Sequence, residues 1–363
     1  MNRAPVPHGF RQRPSRTRPA RGLTVIELLI SISIGLFIVA SITYMYAGSR
    51  NSYRVNSSVA HIQEGGRFGL DALLRDARRL GYVGCGSRES INTQASEVVD
   101  NLSGLTLPGT GGVPIAFIGP ATALFGISAS GYQFSPAATT TYVPPPVPAG
   151  RPAPPGWVAG DVVQMVVPTS ASEPLLADPV GTSVTIADNS INLRAGDNVL
   201  ISNCASSFVA TVAADPVANG ANVSVTLGPV GTVPADLSRY GFITHPSIQR
   251  IDAVTYYVGQ VPGRWPALYR YSATYGVSEE IIDHVENMNI LYGVGNGVPA
   301  PASAATPWSN VTSVRVSLQV VGDEFNVGRG QVVTLVPFTA GFPAPDTRLR
   351  QVFTGTAALR ERL

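Results

Sequence analysis

The chain has 363 residues, more than one hydrophobic core usually absorbs, so its length predicts one large domain or two ordinary ones. Only 13% of the residues are charged, and the formal net charge is +2. Residues 1–22 contain six arginines and no acid, which leaves the remainder acidic by four charges. The composition therefore argues against a nucleic-acid partner for the body of the protein.

The first 50 residues have the layout of a leader followed by a membrane span. Residues 1–21 are rich in proline and arginine without an apolar period, so we expect them to be disordered. No charged residue occurs at the 22 positions 28–49, and a helix needs about 20 apolar residues to cross a bilayer. Arginines precede this span and none follows before Arg50, which predicts a cytoplasmic leader and a translocated body.

One acid, Glu27, stands at the start of the apolar span. A carboxylate in a membrane helix costs about 3 kcal/mol unless it is paired, protonated or near the interface, so Glu27 is expected to have a partner. Gly22 precedes the span, whereas a secretory signal has its small-residue cleavage site after the apolar region. Cleavage at Gly22 would remove the leader and keep the helix. A signal anchor with an incidental acid is the alternative.

The trio Gly22, Leu23 and Glu27 resembles the signature of prepilins. In that family a dedicated peptidase cuts after the glycine and methylates the new N-terminus, which implies cleavage after Gly22 and N-methylation of Leu23. Glu27 is then the fifth mature residue, the position of the family's acid. The resemblance implies that Glu27 pairs with the N-terminal amine of a neighbouring subunit in a filament core. Leu23 departs from the phenylalanine that the family usually has.

Residues 50–80 continue the helix as an amphipathic segment. The pattern predicts one helix over residues 23–80 that ends at Gly81. Because each glycine weakens a helix by up to about 1 kcal/mol against alanine, we expect bending or local melting near Gly65 and Gly66. Apolar or small residues recur at steps of three or four, at positions 55, 59, 62, 66, 70, 73, 77 and 80.

From residue 90 onward, short valine-rich runs alternate with glycine, proline, asparagine and aspartate, which is typical of antiparallel strands. The predicted strands are residues 162–167, 183–187, 198–201, 208–212, 223–227, 253–258, 268–271, 311–321 and 332–337. Two loops interrupt them, a Gly- and Pro-rich exposed insertion at about 103–160 and a shorter loop at 293–309.

These patterns predict an α+β, pilin-like fold, in which a long N-terminal helix packs on an antiparallel β-rich globular head. The first half of the helix spans the membrane. The predicted segments are a leader at 1–22, the transmembrane half of the helix at 23–49, its amphipathic half at 50–81 and the head at 82–363.

The two cysteines, Cys85 and Cys204, both lie in the predicted head. A translocated domain is in an oxidising compartment, so a single disulfide between them is one expectation. Closing so long a loop would contribute about 4 to 5 kcal/mol on the chain-entropy model. Two separate buried thiols are the alternative.

Catalytic and metal-binding motifs are not found in the sequence. The four histidines, at positions 8, 61, 245 and 284, are far apart, and no Cys-x-x-Cys or His-Glu-x-x-His occurs. The GVGNG run at 293–297 lacks the lysine of a phosphate loop and predicts a turn. The Asp and Asn residues of 188–198 likewise predict turns rather than a calcium loop. The tyrosines of 256–275 alternate in strands and are expected in or beside a core. We therefore predict no enzyme, cofactor or metal.

Further stretches resemble the PilW family of minor pilins. QEGGRFGLDALLRDARRLGYVGC, from residue 63, is similar to the end of the family's helix, and GDVVQMV, GDNVLISNC, IIDHVENMNILYGV, SVRVSL and RLRQVFTGTAALRER are similar to its later blocks in the same order. The resemblance implies a non-enzymatic subunit that helps to initiate a type IV pilus. It also implies a place at or near the pilus tip and support for motility or adhesion.

The implied partners are prepilin peptidase, other minor pilins, the major pilin, a tip adhesin and the inner-membrane assembly platform. The implied location is the bacterial inner membrane, with the head periplasmic, and then the pilus surface. A J-type pseudopilin of a type II secretion system is one alternative, because it shares the leader and helix. A membrane-anchored periplasmic enzyme or ligand-binding module is another.

Overall fold

The chain divides into two compact units, Met1–Arg54 and Val55–Leu363. The predicted segment boundaries at residues 22 and 81 lie outside the described residues, as does most of the insertion predicted at 103–160. The structure, a computed structural model, describes residues 24–80, 105–106, 114–115, 151–179, 181–203, 207–228, 237, 246–272, 274–301, 311–328, 331–333, 342–343 and 345–359.

Helix α1 is continuous over Val25–Arg78, within two residues of the predicted extent at each end. The predicted apolar stripe is its buried face, because Ile62 and Leu73 are fully buried, while the charged residues between them are exposed. The expectation of local melting near Gly65 and Gly66 is wrong. Both glycines are helical, and Gly66 is buried against the sheet, so tertiary packing outweighs the weak helix propensity of glycine.

The strands are antiparallel throughout the pairs that the structure describes. They are β1 Leu105–Thr106, β2 Pro114–Ile115, β3 Gly156–Pro168, β4 Glu173–Pro174, β5 Ser183–Ile186, β6 Asn198–Ser202, β7 Ser207–Val212, β8 Val217–Asn219, β9 Asn222–Gly228, β10 Ser247–Gln260, β11 Ala267–Ser272, β12 Val277–Asp283, β13 Val285–Val294, β14 Val311–Val321, β15 Val332–Val333, β16 Phe342–Pro343 and β17 Arg350–Ala358.

Strand β10 is the centre of a ten-stranded sheet ordered β12-β11-β10-β6-β7-β9-β5. Along one edge, β10 pairs first with β6 and then with β11, and along the other edge it pairs with β4 and β3. Strand β8 adds to the sheet beside β9. A second sheet has the order β13-β14-β17, and β1 with β2 and β15 with β16 form two short pairs.

Two separate apolar clusters form cores among the described residues of the unit Val55–Leu363. The larger one joins the buried face of α1 to both sheets and includes Leu73, Tyr256 and Leu318. The smaller one lies among β5, β6, β7 and β9 and includes Ile201 and Phe208. The larger core therefore fixes the second part of α1 on the sheets, whereas the smaller core stabilises the distal strands.

Most of the sequence-based expectations for the head are confirmed. Eight predicted strands overlap β3, β5, β6, β7, β9, β10, β11 and β14, and the ninth overlaps β15 at its start. Strands β12, β13 and β17 were not predicted as strands, although β13 and β17 lie in blocks that resemble PilW. The loop predicted at 293–309 begins inside β13, and the insertion predicted to end at 160 overlaps the start of β3.

The turn and core predictions agree with the structure where it describes them. Asp188 and Asp197 accept backbone hydrogen bonds within the turns that connect the strands, which is the structural role predicted for them. The tyrosines at 256, 257, 269 and 271 are buried. Tyr275 is partly exposed and donates to Asp197 Oδ1 at 2.9 Å.

Small residues let α1 approach the sheets closely. A Cβ atom on Gly66 would overlap the ring of Phe353 on β17, and one on Gly69 would lie 2.5 Å from Ile282 Cδ1 on β12. By contrast, the ideal Cβ position of Gly65 has no atom of the described residues within 4 Å. Of these two adjacent glycines on α1, Gly66 therefore lies in close contact with the head, whereas Gly65 does not.

This difference predicts opposite effects of alanine at the two glycines. Gly65→Ala should raise the free energy of unfolding by up to about 1 kcal/mol, because alanine is the better helix former and its methyl group meets open space. Gly66→Ala should lower it by about 1 kcal/mol, because the cost of displacing Phe353 exceeds the gain in helix propensity.

Denaturant unfolding of the full chain in detergent, followed by circular dichroism of the β-rich head, measures both changes. Phe353→Ala in the Gly66→Ala background tests whether the clash with the Phe353 ring causes the loss of stability. If it does, Gly66→Ala should cost less once the ring is removed, so the effects of the two substitutions should be non-additive. Equal shifts for Gly65→Ala and Gly66→Ala would contradict the close approach of α1 and β17.

Candidate functional site: the start of α1 and its junction with the sheet

The first turn of α1 forms a reciprocal capping arrangement. Thr24 Oγ1 accepts a hydrogen bond from the backbone N–H of Glu27 at 3.3 Å, and Glu27 Oε2 lies 3.4 Å from both the backbone N and Oγ1 of Thr24. This Thr-x-x-Glu pattern satisfies N–H groups that have no partner within the helix. The contacts of the carboxylate are long, so they leave it capacity to accept a stronger donor.

The apolar part of α1 is exposed throughout residues 24–54. Its length and composition are sufficient to cross a membrane, and it is near the N-terminus. Four of its hydroxyl groups donate to the carbonyl one turn earlier, so they do not interrupt the apolar surface. The four pairs are Ser31 to Glu27, Ser33 to Leu29, Ser41 to Phe37 and Thr43 to Val39, at 2.7 to 2.8 Å. These four side chains therefore need no hydrogen-bond partner from their surroundings.

A buried carboxylate connects the other end of α1 to the large sheet. Asp76 is 7% exposed, and its Oδ2 accepts from the hydroxyl of Tyr256 at 2.8 Å and from Arg270 Nε at 3.0 Å. Tyr256 is on β10 and Arg270 on β11, so one oxygen connects the helix to two neighbouring strands. Burial, together with the adjacent Asp76 carboxylate, raises the pKa of Tyr256 well above its usual range.

A groove of about 1070 Å³ runs beside the same part of α1. It is lined by residues of the helix and of strand β17, which include the aromatic residues Phe68 and Phe353 and the charged residues Glu64, Arg67 and Asp71. The ring of Phe68 is 61% exposed. A groove with aromatic walls and charges of both signs can accept a side chain or a segment from another protein.

An arginine that is buried nearly completely fixes the start of β17. The side chain of Arg350 donates to both oxygens of Glu286 at 2.7 and 2.8 Å and to Asp346 Oδ1 at 2.7 Å. Glu286 is on β13, so this network joins the two outer strands of the three-stranded sheet. The hydrogen bond from Arg350 holds the pKa of the Asp346 carboxyl below its usual range.

A cluster of two histidines and two aspartates lies where α1 meets the turn between β12 and β13. His61 Nε2 lies 3.8 Å from Asp283 Oδ1, and His284 Nδ1 lies 3.1 Å from Asp283 Oδ2. Asp323 Oδ1 lies 2.5 Å from His284 Nε2. His61, Asp283 and His284 are the group of possible metal ligands that the described residues bring together.

The structure describes only one of the predicted site residues. Glu27 lies in the first turn of α1, whereas Gly22, Leu23, Cys85 and Cys204 lie outside the described residues. The cleavage site, the methylated position and the disulfide therefore stay predictions.

Comparison with family models gives a match in the C-terminal part of the chain. Residues 255–361 match the family PilW, described as type IV pilus-assembly protein W. The region 255–361 is a PilW region. Searches among curated proteins and among solved structures gave no match.

The PilW region includes the sheet side of the features described above, but not α1. It extends from the middle of β10 through β17 and so contains Arg270, the Asp283–His284 turn and the Arg350 network. The match confirms the PilW resemblance over residues 255–361 and supports an involvement in type IV pilus assembly, and PilW is a structural, non-enzymatic kind of protein. Interaction with other pilus components follows in general terms, and the apolar helix fits single-pass anchoring.

Two groups of residues were missed in the sequence. Asp76 is a polar residue three positions after Leu73 on the buried stripe of α1, and that position was a signal that it has a buried partner. The His61–Asp283–His284 cluster has no comparable local signal, because its members are distant in sequence and only the fold brings them together.

Removal of the Asp76 carboxylate should weaken the junction between α1 and the sheet. Asp76→Asn should lower the free energy of unfolding by about 2 to 3 kcal/mol, because the asparagine leaves Arg270 without its carboxylate in a partly buried place. Thermal or urea unfolding of the detergent-solubilised chain measures this change.

Asp71→Asn is the matched control on the same helix. Asp71 pairs with Arg75 at the surface, where an exposed i,i+4 ion pair contributes under about 0.5 kcal/mol. Losses of similar size in the two variants would contradict a special role for Asp76.

Proposed function

We propose that the protein is a minor pilin of a type IV pilus, a structural subunit that helps to initiate pilus assembly and lies at or near the tip. The observation that carries this proposal is the PilW match in a β-rich unit of a chain that also has an exposed, apolar N-terminal helix. The helix supplies the anchor and the assembly element. The head, including the groove beside α1, supplies the contacts with other subunits.

Processing at the start of the chain would produce the mature subunit. Prepilin peptidase would cut after Gly22 at the cytoplasmic face and methylate the amine of Leu23. The arginine-rich leader would hold this site in the cytoplasm while the head is in the periplasm. The mature chain would begin one residue before the Thr24–Glu27 cap, so processing would leave the first turn of α1 intact.

Glu27 would then have two roles at different stages. In the free subunit it caps α1 through the long contacts with Thr24. In the filament its carboxylate would accept the N-terminal amine of a neighbouring subunit, because an unpaired charge in an apolar core is strongly disfavoured. This pairing would fix the axial register between adjacent subunits.

The apolar surface of α1 would leave lipid for a bundle of similar helices during assembly. Since both settings are apolar, the hydrophobic effect gives little net direction to this transfer, and packing and the ion pair must supply it. The proposed partners are the other minor pilins, the major pilin, a tip adhesin and the inner-membrane assembly platform. Motility or adhesion that depends on pili would be the cellular function.

Substitutions at Glu27 separate pairing from capping. Glu27→Ala removes both the charge and the cap, whereas Glu27→Gln removes the charge and keeps a side chain that can cap. We expect both variants to be processed but to fall at least tenfold in sheared pili, as measured by immunoblotting of the filament fraction against the membrane fraction.

Thr24→Ala is the control, because it weakens the cap by about 1 kcal/mol and keeps the Glu27 carboxylate. It should enter pili at close to the normal level. Normal incorporation of Glu27→Gln would show that capping, and not pairing, is the role of Glu27. Loss of exoprotein secretion with normal piliation in a gene deletion would instead favour a secretion pseudopilin.

The N-terminus of the membrane-extracted protein tests the processing step separately. N-terminal sequencing and mass spectrometry should find a chain that begins at Leu23 with a methylated amine. A Gly22→Ala variant should reduce cleavage and retain the leader. Recovery of the intact Met1 start from cells with active peptidase would overturn the prepilin assignment.

A further inference from the structure

We propose that His61, Asp283 and His284 bind a divalent transition-metal ion, Zn²⁺ in particular, which joins α1 to the turn between β12 and β13. This inference does not depend on the proposed pilin function. The three residues come from two separate parts of the unit Val55–Leu363, with His61 on α1 and the other two where β12 ends. Their ligand atoms all lie within 4.8 Å of one another.

The distances suit a tetrahedral zinc ion. Ligand atoms bonded to Zn²⁺ at about 2.0 to 2.1 Å lie about 3.3 Å from one another. The His61–Asp283 contact of 3.8 Å and the Asp283–His284 contact of 3.1 Å are close to that separation. Small side-chain rotations therefore bring the two nitrogens and the carboxylate around one ion, and water would complete the coordination.

His284 is the buried member of the candidate site. Its side chain is 7% exposed and lies between two carboxylates, with Nδ1 3.1 Å from Asp283 Oδ2 and Nε2 2.5 Å from Asp323 Oδ1. A metal ion between Nδ1 and Asp283 would bind the imidazole and the carboxylate together and would leave Asp323 at the other nitrogen. The carboxylate of Asp323 lies beside the other nitrogen, where it can orient the ring as acids do behind zinc-bound histidines.

The backbone around His284 is held in place before any ion binds. His284 has a φ of 57°, which is uncommon for a residue other than glycine. Its carbonyl accepts from Val321 N at 2.9 Å, and Val285 N donates to Pro266 O at 3.0 Å. The conformation is therefore imposed by neighbouring segments, which is the kind of support that a preformed site requires.

The charges and donor types favour Zn²⁺ over Ca²⁺ or Mg²⁺. Two imidazoles and a carboxylate suit a borderline ion, whereas Ca²⁺ and Mg²⁺ select oxygen ligands. Asp283 and Asp323 together provide negative charge for a dication. The nearby cation Arg348, which stacks on Trp265, is paired with Asp346 at 2.8 Å and so opposes binding little.

Access from solvent is open, because the side chains of His61 and Asp283 are each about half exposed. Bound Zn²⁺ would connect the helix to the sheet at a second place, in addition to Asp76. The ion would therefore stabilise the folded state and restrain α1 on the head.

The test uses the full chain in detergent, purified without a histidine tag. Zn²⁺ at a hundredfold excess over its Kd should raise the Tm by about 5 °C, whereas Ca²⁺ and Mg²⁺ should leave the Tm unchanged. His61→Asn and Asp283→Asn should each weaken Zn²⁺ affinity at least tenfold in isothermal titration calorimetry. Because both residues are half exposed, the two variants should still fold.

Glu279→Gln is the matched control, since Glu279 is an exposed acid on β12 outside the cluster. It should bind Zn²⁺ with unchanged affinity. Trp265 gives a local readout, because its ring centroid lies 4.9 Å from that of His284. Co²⁺ accepts the same ligands and should quench the fluorescence of Trp265, and Trp265→Phe should remove most of that quenching.

Three outcomes would overturn the proposal. The first is the absence of any Zn²⁺-dependent rise in Tm. The second is unchanged Zn²⁺ affinity in both His61→Asn and Asp283→Asn. The third is an equal loss of affinity in Glu279→Gln, which would place the ion elsewhere.

Discussion

The buried carboxylate of Asp76 is the interaction on which the coupling of helix and head depends. Its oxygen accepts from Tyr256 and Arg270, which belong to neighbouring strands of the large sheet. An apolar contact between helix and sheet could slide along the stripe by one turn at modest cost, because leucine and isoleucine pack in many arrangements. A buried carboxylate with two fixed donors has one satisfied position, so it sets both the rotation and the axial place of α1 on the sheet.

The need for glycine at two positions of α1 follows from that constraint. Once the helix is fixed at Asp76, the residues about two and three turns earlier, Gly69 and Gly66, face Ile282 and Phe353 at distances that exclude a side chain. Glycine at 66 and 69 then allows the contact, and the loss of helix propensity is outweighed by the burial of the neighbouring apolar groups. The same glycines would be unfavourable in an isolated helix.

The sequence predicted the structure best where residues close together in the chain determine it. The period of the apolar residues predicted α1 to within two residues at each end, and valine-rich runs between turn residues predicted most strands. Strand β12, with the sequence VSEEIID, was missed because its acids interrupt the apolar alternation. The resemblance to PilW was found from the order of sequence blocks rather than from the strands, and the family match covers residues 255–361. The Asp76 contacts and the histidine cluster could not be predicted, because each joins residues that only the tertiary fold brings together.

The arrangement of β10 has a consequence for mechanical load. Force applied along α1 would reach the sheet through Tyr256, which is in the middle of β10, and β10 is hydrogen-bonded along both edges. Because β10 is held by backbone hydrogen bonds on both sides, a load that enters at Tyr256 is shared between two neighbouring strands. The sheet can therefore separate at this point only by the loss of both sets of hydrogen bonds.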